Sequence, residues 1–155
     1  MKIEVRRIDL GTELSRLVEI EARIFSESDR LREVDFEGTE CYWFLAGGVI
    51  AGCTALRREC VISPSDGLVQ CAGGIYIIST AILPEFQGGG LGKKLKAWQI
   101  AYAKSEGFVR MATVCRESNA RMIGLNKKFG FRALYVIPNC YHDPEESGIV
   151  MELEL

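Results

Sequence analysis

The stretch from Ser79 to Lys93 constrains this chain more than any other. The apolar run Gly74–Leu83 before the loop is typical of a strand buried on both faces. Pro84 cannot donate a backbone hydrogen bond, so we expect the strand to end there. A glycine-dense segment follows, and a helix is predicted to begin near Leu91. The sequence therefore predicts a strand, a glycine-rich loop and a helix in direct succession.

The glycines of this loop predict an anion site. They leave the turn without Cβ atoms, so that backbone N–H groups can approach a ligand closely. The first N–H groups of a helix have no partner within the helix, and they lie at the positive end of its dipole. Together they suit a phosphate or a pyrophosphate. The glycines are Gly88, Gly89, Gly90 and Gly92.

The spacing excludes two familiar phosphate loops. A nucleoside triphosphate loop needs Gly-Lys followed by Ser or Thr, whereas Lys93 is followed by Lys94. A dinucleotide loop needs glycine at its sixth position, which counted from Gly88 is again Lys93. The residues from Gln87 to Gly92 instead follow the pattern Q-x-x-G-x-G. A tight turn without a ligand is the alternative, but the position between a buried strand and an amphipathic helix favours binding.

Length and composition limit the function classes. The 155 residues suit a single domain, 1–155, with one sizeable core, and the hydrophobic content of 48% is that of an ordinary globular protein. A net charge of −2 argues against a general nucleic-acid binder. No apolar run reaches the roughly 20 residues of a membrane span, and the N-terminus does not resemble a signal peptide. We expect a cytoplasmic protein that binds no membrane.

The number and spacing of the cysteine and histidine residues do not predict a metal site. The six cysteines include no C-x-x-C pair, and the chain has one histidine, His142. Zinc sites need closely spaced ligands of these types, so we expect no metal and interpret the cysteines as buried free thiols.

The elements before the loop follow from periodicity. Lys2–Ile8 alternates as a strand, and a helix capped by Thr12 is predicted to run to Phe25. The segment Ser26–Gly38 is left open between a short helix and a loop. Two β-rich runs joined by Gly47-Gly48 predict a hairpin, and a second turn is predicted at 62–67. The two runs are Cys41–Ala46 and Val49–Arg57.

The elements after the loop complete an α/β pattern. The helix from Leu91 is expected to end at Gly107, with its lysines on a solvated face except Lys93, which lies in the first turn beside the predicted anion site. Phe108–Cys115 is expected to form a strand. A helix capped by Ser118 or Asn119 follows, and then come two strands separated by a long polar loop at Pro138–Gly148. These strands are Arg132–Ile137 and Ile149–Leu155.

Two asparagines of the later helix are placed to act together. Asn119 and Asn126 are seven residues apart, which brings them within about 20° of each other around a helix axis. Two amides on one edge could bind a polar ligand that lies along the helix. The alternative is one N-cap and one surface amide, and spacing does not separate the two.

The glycine loop, preceded by Ile82-Leu83-Pro84, resembles the acyl-CoA pyrophosphate loop of the GNAT superfamily of N-acyltransferases. The segment Asn119–Phe131, which ends in Gly130-Phe131, resembles the second signature of that family. The resemblance implies an α/β (α+β) single domain with a mixed, mostly antiparallel sheet of about seven strands and about four helices. It implies acetyl-CoA as cosubstrate, with backbone groups of Ile82 and Leu83 on the pantetheine arm. The implied cofactor-binding residues are Ile82, Leu83, Gln87, Gly88, Gly89, Gly90, Leu91, Gly92, Lys93, Asn119 and Asn126.

The catalytic residues of the family do not all have counterparts here. Many relatives place a tyrosine seven residues after the signature asparagine, where this chain has Asn126. The ribosomal-protein N-terminal acetyltransferases, whose tail is similar to Asn139–Tyr141, use a glutamate where this chain has Val114. Tyr141 is therefore our candidate general acid, with Tyr135 second. The amine proton could leave through water to Glu37, Glu40 or Glu59, or catalysis could need no dedicated groups.

The resemblance implies an acetyl-CoA-dependent N-acetyltransferase in which an amine attacks the thioester directly within a ternary complex. The acceptor would be a small-molecule amine, a protein N-terminus or a lysine, and carboxylates such as Glu145 and Glu146 would attract a cationic one. A non-catalytic acyl-CoA-binding module is the alternative, and a nucleotide-binding regulator is a third. Family members are often dimers, which leaves a homodimer open.

Overall fold

The computed structural model describes residues 1–58, 60–61, 70–71 and 73–155. Glu59 and the predicted turn at 62–67 lie outside these residues. Nine strands, three α-helices and two short 3₁₀ helices, at Glu33–Phe36 and Pro84–Phe86, occupy the described ranges. In chain order the strands and α-helices are β1 (Ile3–Arg7), α1 (Leu10–Ile24), β2 (Glu40–Ala46), β3 (Val49–Arg57), β4 (Cys60–Val61), β5 (Gln70–Cys71), β6 (Gly74–Ile82), α2 (Leu91–Ser105), β7 (Arg110–Arg116), α3 (Ala120–Lys128), β8 (Arg132–Tyr141) and β9 (Glu146–Glu154).

Seven strands form one sheet in the order β1-β2-β3-β6-β7-β9-β8, and β4 pairs separately with β5. The pairs β1–β2, β2–β3, β7–β9 and β8–β9 are antiparallel, whereas β6 and β7 are parallel. This confirms the predicted α/β class and the mixed, mostly antiparallel sheet of seven strands. The described ranges contain three α-helices rather than the four expected, because the segment after α1 forms only a 3₁₀ turn.

Contacts divide the chain into two compact units, of which the first comprises Met1–Arg57 and Ile78–Leu95. Its core packs α1 against β2 and β3 and includes Leu17 and Trp43, both at most 1% exposed. The N-cap of α1 is Asp9, whose carboxylate accepts from the Gly11 N–H at 2.9 Å. The predicted cap at Thr12 was wrong, since the Thr12 N–H already bonds to the Asp9 carbonyl within the first turn.

Glycine permits two features of the first unit. Gly47 and Gly48 have φ of 59° and 82°, so they form the tight turn that the sequence predicts between β2 and β3. A Cβ on Gly52 would lie 2.2 Å from the carbonyl oxygen of Ala81. Only glycine therefore allows β3 to approach β6 this closely, beside the strand that leads into the glycine loop.

The second unit comprises Arg58–Ile77 and Lys96–Leu155. Met111 of β7 and Met151 of β9 are fully buried in it. The predicted loop at Pro138–Gly148 was wrong in extent, because β8 continues to Tyr141 and β9 begins at Glu146. The β8–β9 register shifts between Ile137 and Tyr141, and β8 lies at the sheet edge, where proline is tolerated.

Three of the four cysteines whose side chains the structure describes are buried free thiols, as expected. The side chains of Cys60 and Cys71 lie outside those described. Cys41, Cys53 and Cys115 are buried and unpaired, while Cys140 is partly exposed. No group of three or more metal-ligating side chains occurs within the described residues. None of the described helices is long and apolar enough to cross a membrane.

Candidate active site

The glycine loop joins the end of β6 to the start of α2 in the first unit. Gly88 and Gly90 have φ of 85° and 82°, which L side chains rarely adopt. The first hydrogen bond of α2 runs from the Lys94 N–H to the Gly90 carbonyl at 3.3 Å, so the N–H groups just before it have no partner within the helix. Cβ atoms added to Gly88, Gly89 or Gly90 would meet no atom within 4 Å. The loop thus presents backbone donors to open space, as a pyrophosphate requires.

The end of β6 offers a smaller set of backbone groups than the sequence suggests. The Leu83 N–H donates to the Ala51 carbonyl of β3 at 2.8 Å. The Ile82 carbonyl accepts from the side-chain amide of Gln87 at 2.9 Å. Successive residues of a strand direct their N–H groups to opposite edges, so the Ile82 N–H faces away from β3. Of these two N–H groups, that of Ile82 is therefore the one that is not bonded to β3.

A cavity of about 300 Å³ adjoins the loop within the first unit. Gln87, Gly89 and Leu91 line it, together with Lys94, which the sequence analysis assigned to a solvated face. Both Lys93 and Lys94 are exposed in the first turn of α2. Their ammonium groups add positive charge next to the backbone donors.

The structure decides in part between the two interpretations of the asparagines in the second unit. Asn119 is the N-cap of α3, because its Oδ1 accepts from the Met122 N–H at 3.1 Å. Asn126 is fully buried rather than at the surface. Its Nδ2 lies 3.6 Å from the sulfur of Met151, and its Oδ1 has no hydrogen-bond partner among the described residues. A buried amide oxygen without a partner is rare.

The candidate acid Tyr141 lies in a polar cluster of the second unit. The Arg116 guanidinium lies 4.8 Å from the centre of the Tyr141 ring. Arg116 also donates to the carbonyls of His142 and Pro144, at 2.7 Å and 2.9 Å, and to Glu146 at 3.0 Å. Glu146 accepts from the Ser118 N–H as well, so its pKa is lowered by these hydrogen bonds. The Glu146 carboxylate is thus bound within the protein, whereas Glu145 is exposed.

One lysine of α2 departs from the predicted solvated face. Lys96 is 1% exposed, and its ammonium lies 5.2 Å from the centre of the Phe131 ring. Burial lowers its pKa to about 8. The stripe of α2 that packs inward includes Leu95, Lys96 and Gln99, so the buried face is partly polar.

Two remaining candidates can be placed. Glu40 lies 4.0 Å from the Arg7 guanidinium, and Glu37 is exposed after the 3₁₀ turn.

Cys115 is buried, which raises the pKa of its thiol and disfavours the thiolate. This agrees with the expected core thiol rather than a nucleophile.

The mixed seven-stranded sheet and the glycine loop between β6 and α2 match the fold that we expect of a CoA-dependent acyltransferase. The model of the acetyltransferase (GNAT) family matches residues 10–131. The chain therefore belongs to the GNAT acetyltransferase family.

Comparison with individual proteins gives the same fold. A Bacillus subtilis (strain 168) protein named "Putative ribosomal protein bS18-alanine N-acetyltransferase" is 30% identical over 98 residues, which span 59% of this chain and 65% of that protein. The ribosomal-protein-S18-alanine N-acetyltransferase of Escherichia coli is 21% identical, with a TM-score of 0.80 over 99% of this chain and 94% of its own. A Bacillus subtilis acetyltransferase in complex with CoA is 19% identical, with a TM-score of 0.77 over 99% of both chains.

Proposed function

We propose that this protein transfers the acetyl group of acetyl-CoA to a primary amine by direct attack within a ternary complex. The observation that carries this proposal is the glycine loop, where Gly88 to Gly90 leave open space beside the unpaired N–H groups of α2. Backbone donors at a helix N-terminus suit the pyrophosphate of coenzyme A. The positive charge of the Lys93 ammonium would also attract the pyrophosphate. We assign the cofactor contacts to Ile82 and 87–93, and also to Asn119 and Asn126, within one domain, 1–155. The expected backbone contact of Leu83 is not assigned, because its N–H bonds to the Ala51 carbonyl and its carbonyl accepts from the Phe86 N–H.

The chemistry needs a polarised thioester carbonyl and a stabilised leaving thiolate. The Ile82 N–H is directed away from β3 and would donate to the carbonyl oxygen. We propose Tyr141 as the proton donor to the thiolate. The Arg116 guanidinium at 4.8 Å supports this role, because a cation stabilises the phenolate that remains after the proton leaves.

The acceptor is proposed from chemistry and from the named relatives. The relatives from Bacillus subtilis and Escherichia coli carry the names of enzymes that act on an alanine of a ribosomal protein. We propose a protein N-terminus as the first acceptor to test, with a small amine or a lysine as the others. A cytoplasmic location would give the enzyme both acetyl-CoA and such an acceptor.

Amine-dependent release of CoA tests the function. We expect release with acetyl-CoA and a peptide that begins with alanine, spermidine or a lysine peptide, and mass spectrometry should find the acetyl group on the amine. Binding of acetyl-CoA without turnover of any of these amines would instead favour the acyl-CoA-binding module. Asn126 motivates that second candidate, because an amide cannot donate a proton at useful pH.

A further inference from the structure

Glu21 is a buried carboxyl whose position the sequence analysis did not connect with chemistry. It is 1% exposed on α1, although glutamate is almost never fully buried unless it is paired. It forms no ion pair among the described residues, and its Oε2 has no hydrogen-bond partner there. Folding therefore retains a carboxyl at this position without the cation that would normally accompany it.

The one side chain bonded to Glu21 is a hydroxyl of the strand that leads into the glycine loop. Ser79 Oγ donates to Glu21 Oε1 at 2.5 Å. Ser79 lies three residues before Ile82 on β6 and is 7% exposed. Its carbonyl accepts from Thr54 Oγ1 of β3 at 2.9 Å, which fixes the strand at this residue. A hydroxyl bonded to a carboxyl thus lies on the same strand as the proposed thioester donor, three residues or about 10 Å before it.

We propose that Ser79 and Glu21 form a proton-accepting pair for the acceptor amine, an inference that rests on the acetyl transfer proposed above. One proton of the R–NH₃⁺ group passes to Ser79 Oγ as the hydroxyl proton of Ser79 passes to Glu21. The neutral amine then forms the C–N bond to the acetyl carbon, and the C–S bond breaks. Tyr141 protonates the thiolate to give the CoA thiol, the second N–H proton of the amine returns to Tyr141 through solvent, and Glu21 returns its proton to solvent.

The surroundings of Glu21 suit a base. Burial raises the pKa of its carboxyl, and the hydrogen bonds from Ser79 and from the Leu31 backbone oppose that rise. The titratable groups that interact with it from other elements are the thiols of Cys41 on β2 and Cys53 on β3. Burial raises the pKa of Cys41 to about 11 and that of Cys53 as well, so both thiols are neutral at pH 7. The pKa of Glu21 is thus closer to neutral pH than the pKa of an exposed glutamate, as a general base requires.

The alternative role for Glu21 and Ser79 is purely structural, as a polar link between α1 and β6. The two roles differ in what a change of pH does to the variants. A structural link affects the melting temperature but leaves the pH dependence of kcat/KM as in wild type, whereas a proton acceptor alters the pH dependence of kcat/KM. Rescue by Ser79→Thr, which keeps the hydroxyl, also separates the two.

The test measures CoA release against pH for wild type, Glu21→Gln, Ser79→Ala and Ser79→Thr, with the alanine peptide as acceptor. We expect Glu21→Gln and Ser79→Ala to lower kcat by about 100-fold at pH 7, with recovery at high pH as the amine deprotonates by itself. Ser79→Thr should retain most of the activity. Acetyl-CoA affinity should not change, and Glu19→Gln, an exposed glutamate of α1, should behave as wild type.

A second measurement does not depend on turnover. Carbon-13 NMR of the glutamate carboxyls, with Glu21→Gln as the assignment control, should show one carboxyl that titrates above the others and is absent in the variant. An unaltered pH profile in Glu21→Gln, or an ordinary titration of Glu21, overturns the proton-accepting pair while acetyl transfer stands. Failure of wild type to bind acetyl-CoA overturns the proposed function itself.

Discussion

The side-chain amide of Gln87 donates to the carbonyl of Ile82 at 2.9 Å. This bond spans the turn between β6 and the glycine loop. It ties the first residue of the Q-x-x-G-x-G pattern to the strand residue whose N–H faces away from β3. Gln87 is otherwise exposed, so its contribution concerns the position of the loop rather than the core.

Replacing Gln87 should therefore weaken cofactor binding without unfolding the protein. We expect Gln87→Ala to weaken acetyl-CoA binding about fivefold, because one neutral hydrogen bond contributes about 1 kcal/mol. Gln87→Glu should weaken it further, since a carboxylate cannot donate to a carbonyl and repels a pyrophosphate. Calorimetric titration measures both, with melting temperature as the control. An unchanged affinity in Gln87→Glu would contradict a role in the loop.

Glu13 should make the stability of the protein depend on acid pH. Hydrogen bonds from Arg6, from the Asp9 N–H and from the Trp43 indole lower the pKa of Glu13 to about 2 from 4.5. A lowered carboxyl pKa stabilises the fold above pH 4.5, and this contribution is lost as the pH falls toward 2. We expect Glu13→Gln to lower the free energy of unfolding by about 1 kcal/mol at pH 7, since Arg6 is half exposed and the pair is screened. Urea unfolding at pH 7 and pH 3 should show this difference shrink in acid, and a constant difference would contradict the assignment.

Lys96 should make the stability of the protein depend on alkaline pH. Its pKa is about 8 in the folded protein and about 10.5 in the unfolded chain, so the cost of burying the charge is complete below pH 8 and disappears above pH 10.5. We expect the free energy of unfolding of wild type to rise between these pH values. Lys96→Met should be more stable than wild type by about 2 kcal/mol at pH 7 and should lack this rise. A variant less stable than wild type at pH 7 would mean that the ammonium is satisfied inside the protein.

The cluster around Arg116 should fix the β8–β9 connection. Arg116 and Glu146 are 13% and 15% exposed in their side chains, whereas Arg132 and Glu154, which form a similar pair at 3.7 Å, are 67% and 70% exposed. We expect Arg116→Ala to lower the free energy of unfolding by about 2 kcal/mol, because hydrogen bonds to charged groups that are shielded from water are lost. Arg132→Ala should cost less than about 0.5 kcal/mol. Chemical denaturation compares the two, and equal effects would contradict the shielded cluster.

The elements that depend on local patterns were predictable from the sequence. The strand, loop and helix around Gly88 to Gly92 follow from apolar runs and glycine, and the hairpin at Gly47-Gly48 follows from its need for positive φ. Helix boundaries were less certain, because a carboxylate at Asp9 caps α1 in place of Thr12. The predicted strand ended too early, at Ile137, because Pro138 is typical of a loop unless the strand is known to lie at the edge of a sheet.

The buried polar groups were not predictable. Lys96 follows apolar Leu95 and belongs by composition to a charged face, yet tertiary packing turns it inward. Glu21 shares the apolar stripe of α1 by its helical spacing, but periodicity alone does not say that its partner lies on β6. The partners of such residues lie far away in the sequence, as Ser79 does for Glu21. Their chemistry emerges only from the packed structure.

The most direct test of the account is the titration of acetyl-CoA into wild type, Gly89→Gln and Gly89→Glu. Gly89 is the right position because a Cβ there meets nothing within 4 Å and its φ is not in the left-handed region, unlike that of Gly90. The two variants have nearly the same size, so their difference isolates charge beside the proposed pyrophosphate. We predict that wild type binds, that Gly89→Gln binds more weakly and that Gly89→Glu loses binding while its circular dichroism stays unchanged. Equal affinity of the Gln and Glu variants, or no binding by wild type, would contradict a pyrophosphate site in this loop.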